Sequence, residues 1–401
     1  MKITNLRIRE LEGIMKYPGI FWEERLRMPT DIYPEYRDMG PELMAKHPIP
    51  LGDDNYRVVL QFLQIETDEG LTGLSGPLFY PSTAFLIDTT IKRHLIGKDP
   101  LRTELHWDVM YRSNMNARAG EATAAVSMVD IALWDLKGKF LGQPVCSLLG
   151  GPVQDKIPCY ASALCCSIEP DKVAVRVKQF LSEGYPGAKF FVRDGPKDGQ
   201  PGIERILELI KTIRSTGGPD FKIMLDAWNS WDVPYTMKMA LLTEGYEIEW
   251  FEEPVMPDYR KSLARLRDRC PVRIAGGEHD FTRWGAKTLM DMDALDIYQF
   301  DAVWVGGISE LLKITTLCSL YDVPLIPHGV SMQATAHLAF AQNSVVVPML
   351  EYLLVEQERF QFFFKERLKP VDGYLYPPTS PGLGMELDET RVLSEREIRF
   401  S

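Results

Sequence analysis

Residues 222–278 read KIMLDAWNSWDVPYTMKMALLTEGYEIEWFEEPVMPDYRKSLARLRDRCPVRIAGGE. Three short, mostly apolar runs, Ile223–Leu225, Ile248–Phe251 and Ile274–Ala275, each lead into an acid: Asp226, Glu252 and Glu278. Neighbouring acids stand 26 residues apart, the length of a strand, a helix and their connections. Near-continuous apolar runs belong to strands buried on both faces, as in parallel sheets. The rhythm extends both ways, giving strand candidates at Ile157–Tyr160, Ala188–Val192, Lys222–Leu225, Ile248–Phe251, Val272–Ala275, Asp296–Phe300, Val323–Ile326 and Ser344–Leu350. Helical patterns such as Gly202–Arg214 and Trp284–Met292 separate them. Eight βα units predict an α/β fold of the (β/α)8-barrel type. A doubly wound sheet would need a Gly-rich phosphate loop after an early strand, and the sequence has none there.

Outside the barrel the pattern changes. Residues 1 to about 75 alternate as strands do, and Val58–Ile65 runs into the turn signal Asp68-Glu69-Gly70. Between the strands lies Tyr17–Pro50, rich in Pro and aromatics and without a period; loops of that length are commonly functional. Pro81–Leu141 is helical. These features predict an N-terminal α+β capping domain over residues 1–135, a barrel over 136–371, and a turn-rich segment, 372–401, that returns to the cap.

Composition narrows the classes. The 401 residues are 45% hydrophobic and 25% charged, which is ordinary for a globular chain. No apolar run reaches the roughly 18 to 20 residues of a membrane span, and MKITNLRIRE lacks the apolar core of a secretory signal. Six cysteines without a C-x-x-C pair suit a reducing compartment. A net charge of -11 disfavours a nucleic-acid surface. The expectation is a cytoplasmic homo-oligomer acting on a small molecule, with no nucleic-acid or membrane partner.

The strand-end acids carry the chemistry. In a barrel of this kind, residues at the C-terminal ends of strands meet at one mouth. Three acids there repel one another unless a cation sits among them, and all-oxygen ligation suits Mg²⁺. One such acid alone would read as a helix N-cap; three in register favour the metal. Asp301 ends the strand Ile297–Phe300, and His328 follows Leu325-Ile326-Pro327 one unit later. An Asp beside a His fixes its tautomer and raises its basicity, as a general base requires. Glu351 ends the eighth strand. Lys189 places an amine on the second, facing the same side as Phe191, where an opposing base would stand. His279 has no second His at the spacing of a zinc peptidase, and Gly306-Gly307 lacks the third glycine of a dinucleotide loop.

Taken together, these motifs resemble the enolase superfamily, in its mandelate racemase-like subgroup. The likeness is carried by Gly97-Lys98-Asp99-Pro100, Asp130–Lys139, Leu148-Leu149-Gly150-Gly151, Glu252-Glu253-Pro254, Gly277-Glu278-His279 and Pro327-His328-Gly329. Within the subgroup the chain is similar to acid-sugar dehydratases of the L-rhamnonate dehydratase type, through Met224–Trp228, Asp232-Val233, Gly195–Gly199 and Trp304–Gly307. The resemblance implies a modified, enolase-like barrel and Mg²⁺ held by Asp226, Glu252 and Glu278. It also implies a His328–Asp301 dyad, with Glu351 assisting the intermediate. Phe191 stands where many members have the second lysine of Lys-x-Lys. The capping segment Tyr17–Asn55 matches only at Tyr36-Arg37-Asp38.

The function expected is Mg²⁺-dependent dehydration of an L-rhamnonate-like sugar acid. His328 removes the C2 proton and the C3 hydroxyl leaves, giving a 2-keto-3-deoxy acid. Arg37, Lys189, Trp228 and Glu351 are the expected substrate contacts. A racemase or epimerase of 2-hydroxy acids would need a second base, for which Lys189 is the amine at hand. A non-catalytic sugar-acid-binding protein would have no use for acids and a His in register.

Overall fold

Alternating apolar residues on two long segments build the first sheet. β1 (Ile3–Lys16) turns its inward residues Leu6, Ile8 and Leu11 into the core and leaves Glu10 and Glu12 outward. β2 (Ile49–Gly52) is short, and β3 (Asn55–Thr67) pairs antiparallel with β1 from Ile3–Thr67 to Lys16–Asn55. β4 (Thr72–Ser75) returns along β3 after the turn at Gly70, whose φ is +78°. The computed structural model describes residues 1–37 and 48–400.

The helix Glu121–Leu141 packs on β3 and β4, and Gly142, left-handed at φ +63°, caps its end. It is buried on nearly every side, so its two buried acids, Asp130 and Asp135, need partners. Asp135 accepts the Leu74 and Leu383 N–H groups, each at 2.8 Å, and pairs with Lys139 at 2.6 Å. Asp130 accepts the Ser309 N–H at 2.9 Å and its hydroxyl at 2.6 Å, joining this helix to the barrel. The expected domain border at 135/136 falls inside this helix.

The barrel strands are β5 (Ile157–Ser162), β6 (Gly187–Phe191), β7 (Lys222–Asp226), β8 (Ile248–Glu252), β9 (Ile274–Gly276), β10 (Ile297–Tyr298) and β11 (Leu350–Leu353). All pair in parallel, in the order β10-β9-β8-β7-β6-β5-β11. Their interior is a separate cluster of Tyr160, Met224, Trp250, Ala275, Ile297, Ile326 and Met349, with Lys189 beside Met224 on β6. Helices cover the outside; Gly199–Gly217 buries Ile203, Ile206, Leu209, Ile210 and Ile213 at helical spacing.

Two expected strands are altered. Val323–Ile326 forms only a single parallel bridge, Leu325 to Tyr298, because Pro324 and Pro327 remove donors on either side. It is held on both sides: Ile326 N–H reaches Tyr298 O on β10 at 2.8 Å, and Leu325 N–H reaches Val346 O, in the turn before β11, at 2.8 Å. The eighth strand lies at 350–353 instead of 344–350. The Asn343 side chain accepts the Val345 and Val346 N–H groups at 2.9 and 3.1 Å, winding that valine run into a turn.

After the barrel, β12 (Tyr374–Leu375) pairs with the start of β5, and β13 (Ser394–Ile398) joins β1 antiparallel. Arg9 fastens the returning chain to Glu389 and Glu395. No helix among the described residues is long and apolar enough to cross a membrane.

Asp130→Ala leaves the Ser309 N–H without its acceptor in a dry interface. Stability measured by urea denaturation should fall by about 3 kcal/mol. A loss below about 1 kcal/mol would mean that the joint between helix and barrel does not depend on this acid.

Candidate active site

Parallel register brings the strand-end groups together. Phe191 stands opposite Asp226, and Asp226 opposite Glu252, on neighbouring strands β6, β7 and β8. Glu278 follows β9 after Gly277, whose φ of +106° turns the chain. Asp301 follows β10, His328 follows the Leu325 bridge, and Glu351 lies on β11. None of Lys189, Asp226, Glu252, Glu278, Asp301, His328 or Glu351 is more than 9% exposed.

Lys189 Nζ lies 2.8 Å from Glu351 Oε1 and 3.3 Å from Asp226 Oδ2, and it also pairs with Glu252. Burial opposes the charge on this amine, but Glu252 and Glu351 outweigh it and hold the pKa well above the ordinary lysine range. The other oxygen of Glu252 accepts from Trp250 Nε1 at 3.0 Å and Gln299 Nε2 at 2.7 Å. Burial, then the neighbouring Glu252, pushes Asp226 well above its usual value. Burial likewise pushes Glu278 up to about 7, against the pull of His328.

His328 Nδ1 lies 2.9 Å from Asp301 Oδ2, which also accepts the Val330 N–H at 3.2 Å. Its Nε2 faces Glu278 Oε2 at 3.2 Å. Burial works against the charged imidazole, yet Glu278, Glu351 and Asp301 raise it to about 10. Glu351 accepts the Gly329 N–H at 3.1 Å; despite burial, Lys189 and His328 hold its carboxyl below the ordinary range.

This donor set fits a hard divalent cation. Asp226, Glu252 and Glu278 are buried oxygen donors, and burial, with neighbouring carboxylates added, raises Asp226 and Glu278, a cost that a cation among them would offset. A second set also converges, since ligand atoms of Glu253, Glu278 and His279 lie within 4.8 Å of one another. There, however, His279 Nδ1 already lies 2.8 and 2.9 Å from the two Glu253 oxygens, one of which accepts Asn229 Nδ2 at 2.8 Å. Glu253 and His279 therefore form a second carboxylate–imidazole pair.

On sequence alone His279 reads only as a rejected zinc ligand, and Glu253 and Trp304 only as marks of the family likeness. The Trp304 ring stacks on both imidazoles, 5.0 Å from His328 and 5.9 Å from His279. Burial opposes the charge on His279, but Glu253 raises it to about 9. The available signal was the doubled acid Glu252-Glu253 at a strand end, with a His one βα unit later. Trp228, Asn229 and Glu253 hold φ values of +39°, +62° and +40°, a region that side-chain-bearing residues seldom adopt and that gathers at functional sites.

The other expected contacts fall as follows. The Trp228 N–H donates to Asp226 Oδ1 at 2.9 Å, and its indole lies 6.2 Å from His279. Arg37 reaches Asp198 at 3.3 Å, in the loop after β6, and the Asp31 carbonyl at 2.9 Å, so it is not brought onto the cluster. The capping segment docks on the loops after β5 and β6. Glu23 accepts the Ser167 N–H at 2.9 Å, and buried Arg27 bonds Asp198 at 2.5 Å and the Arg193 carbonyl at 3.1 Å. Asp38 and the rest of that segment up to residue 47 lie outside the described residues.

Comparison with known proteins agrees with this geometry. Residues 172–391 match the enolase C-terminal domain-like family. Residues 41–150 match the mandelate racemase / muconate lactonizing enzyme N-terminal domain. An L-rhamnonate dehydratase of Saccharopolyspora erythraea is 31% identical over 91% of this chain and 90% of its own. The crystal structure of rhamnonate dehydratase from Gibberella zeae complexed with Mg has a TM-score of 0.82 at 28% identity, over 97% of this chain and 95% of that one. A 3,6-anhydro-D-galactonate cycloisomerase from Zobellia galactanivorans gives 0.78 at 28% identity, over 98% and 100%. With both domains matched in order along one chain, the protein belongs to the mandelate racemase / muconate lactonizing enzyme family of enolase-like proteins.

Proposed function

We propose that this chain is a Mg²⁺-dependent dehydratase of a sugar acid, an L-rhamnonate-like aldonic acid, that yields a 2-keto-3-deoxy acid. Residues 1–135 and the returning 372–401 act as its cap, and 136–371 as its catalytic barrel. The observation that carries the reading is the His328–Asp301 pair, whose Nε2 faces Glu278 of the three-acid cluster at 3.2 Å. The dehydratase relatives support it.

Asp226, Glu252 and Glu278 would hold the cation, which when bound supplies positive charge for the negative charge that builds on the substrate carboxylate. With Glu278 so engaged, its pull on His328 would fall, and the imidazole would return toward the range where a base works. Asp301 keeps the proton on Nδ1, so Nε2 takes the C2 proton. The same imidazolium then hands a proton to the departing C3 hydroxyl. Glu351, fixed by Lys189 and the Gly329 N–H, borders the reacting atoms, and Trp304 supports the imidazole face.

One observation favours epimerisation as a second reading: a second paired imidazole, His279, also stacks on Trp304 and also approaches Glu278, at 3.5 Å. Lys189 is a poorer second base, because three carboxylates hold its proton.

Glu252→Gln should retain the circular-dichroism spectrum while losing both calorimetric Mg²⁺ binding and keto-acid formation. Unaltered Mg²⁺ affinity would remove Glu252 from the ligand set.

His328→Asn should lose keto-acid formation and C2 proton exchange in deuterated water together. Wild-type enzyme that accumulates the C2 epimer of its substrate in deuterated water would replace dehydration by epimerisation.

A further inference from the structure

Away from the barrel mouth, a cavity of about 860 Å³ opens between the helix Thr103–Ser113, the loop after it and the start of the helix Thr282–Asp291. Its volume falls in the range of small-molecule sites. One wall is a set of near-parallel rings: Trp107 and Tyr111 at 5.0 Å and 17°, and Tyr111 and Trp284 at 4.8 Å and 9°. Trp107 is buried, but Trp284 is 48% exposed, so the stack ends in a large ring open to solvent. Arg112, Arg118 and Arg283 line the same cavity against a single acid, Asp108. That excess is notable in a chain of net charge -11.

The wall is rigidly built. Arg283 sits over the Trp107 and Trp284 rings at 4.9 and 4.7 Å. Wholly buried Glu310 fixes it by accepting its backbone N–H at 2.7 Å and its guanidinium at 2.9 and 2.6 Å. Thr282, at the rim, holds a φ of +61°, rare for a β-branched residue and sustained only where the surroundings impose it. Arg112 is turned to Asp108 at 2.8 Å, whereas Arg118 is exposed and has no ion-pair partner among the described residues.

We propose that this cavity binds a small organic anion, its ring stacked on Trp284 and its phosphate or carboxylate held by Arg118 and Arg112. Stacked aromatics extend readily by one more flat or sugar ring, and guanidinium groups favour phosphate and carboxylate oxygens over other partners. A nucleoside phosphate and a free sugar acid share this chemistry.

Calorimetric titration of the full chain with ADP and, separately, with glucuronate, a sugar acid that closes to a ring, distinguishes the two sources. Saturable binding of either probe is expected. Arg118→Ala should weaken it about tenfold, the loss of one charge-assisted hydrogen bond, and Trp284→Ala should abolish it, with Mg²⁺ binding unchanged in both. Binding untouched by both substitutions would place the anion elsewhere and overturn the proposal. So would no binding of either probe up to millimolar concentration. If, in addition, Trp284→Asp dissociated an oligomer seen by light scattering, the face would belong to a second copy of the chain.

Discussion

One buried amine among three buried carboxylates sets the terms for the rest of this structure. Lys189 touches Asp226, Glu252 and Glu351 from inside the barrel, where an unpaired charge is costly. That arrangement exists only in one register. Lys189 lies opposite Met224, Phe191 opposite Asp226, and Asp226 opposite Glu252; a slip of one residue would turn each side chain to the opposite face. Below this layer the barrel is filled by Tyr160, Met224 and Trp250, which exclude water and make the charged layer above them costly to disrupt. Apolar filling and charged rim therefore enforce the same strand pairing.

The cap takes part in fixing the rim. Asp130 on the long helix holds Ser309, the Ser127 hydroxyl accepts the Gly306 N–H at 2.9 Å, and Trp107 Nε1 donates to the Gly306 carbonyl at 2.7 Å. Gly307 adopts φ +86°, and a Cβ there would fall 2.4 Å from Asp130, so the close approach requires glycine. This joint sits directly after Asp301–Val305, the segment that carries the partner of His328 and the indole that stacks on it. The Gly306-Gly307 pair is thus a docking point between the cap helix and the dyad's loop.

Much of this was legible in the sequence because it follows from period and spacing. Apolar runs leading to acids at 26-residue intervals placed Asp226, Glu252 and Glu278, and the next interval paired Asp301 with His328. What escaped was set by geometry that spacing does not encode. The Val323–Ile326 strand shrinks to a bridge because its prolines cannot donate, and the valines after Asn343 bend into a turn through that side chain. Glu253 and His279 were hidden because the residue after a strand-end acid that faces the mouth should turn away from it. The left-handed φ of +40° at Glu253 instead brings its carboxylate back to His279. Arg37 was expected at the substrate, but a loop without a period gives no direction, and its guanidinium is drawn to Asp198 instead.

The two imidazole pairs differ in a way that bears on the proposed chemistry. Each has a carboxylate at Nδ1, and each is raised by its acids, His328 to about 10 and His279 to about 9. The carboxylate that faces His328 from the other side is Glu278, 3.2 Å from Nε2, so a cation on Glu278 weakens the main attraction holding the His328 proton. His279 is raised first by Glu253, which stays bonded to it and to Asn229 whether or not Glu278 is engaged. Glu278 also reaches His279 Nδ1 at 3.5 Å, but Glu253 is that imidazole's main partner, so engaging Glu278 would relieve His328 more than His279. One neutral and one protonated imidazole would serve elimination through His328 alone, and would equally serve a two-base epimerisation; the two readings differ in whether His279 meets the face of C2 opposite His328.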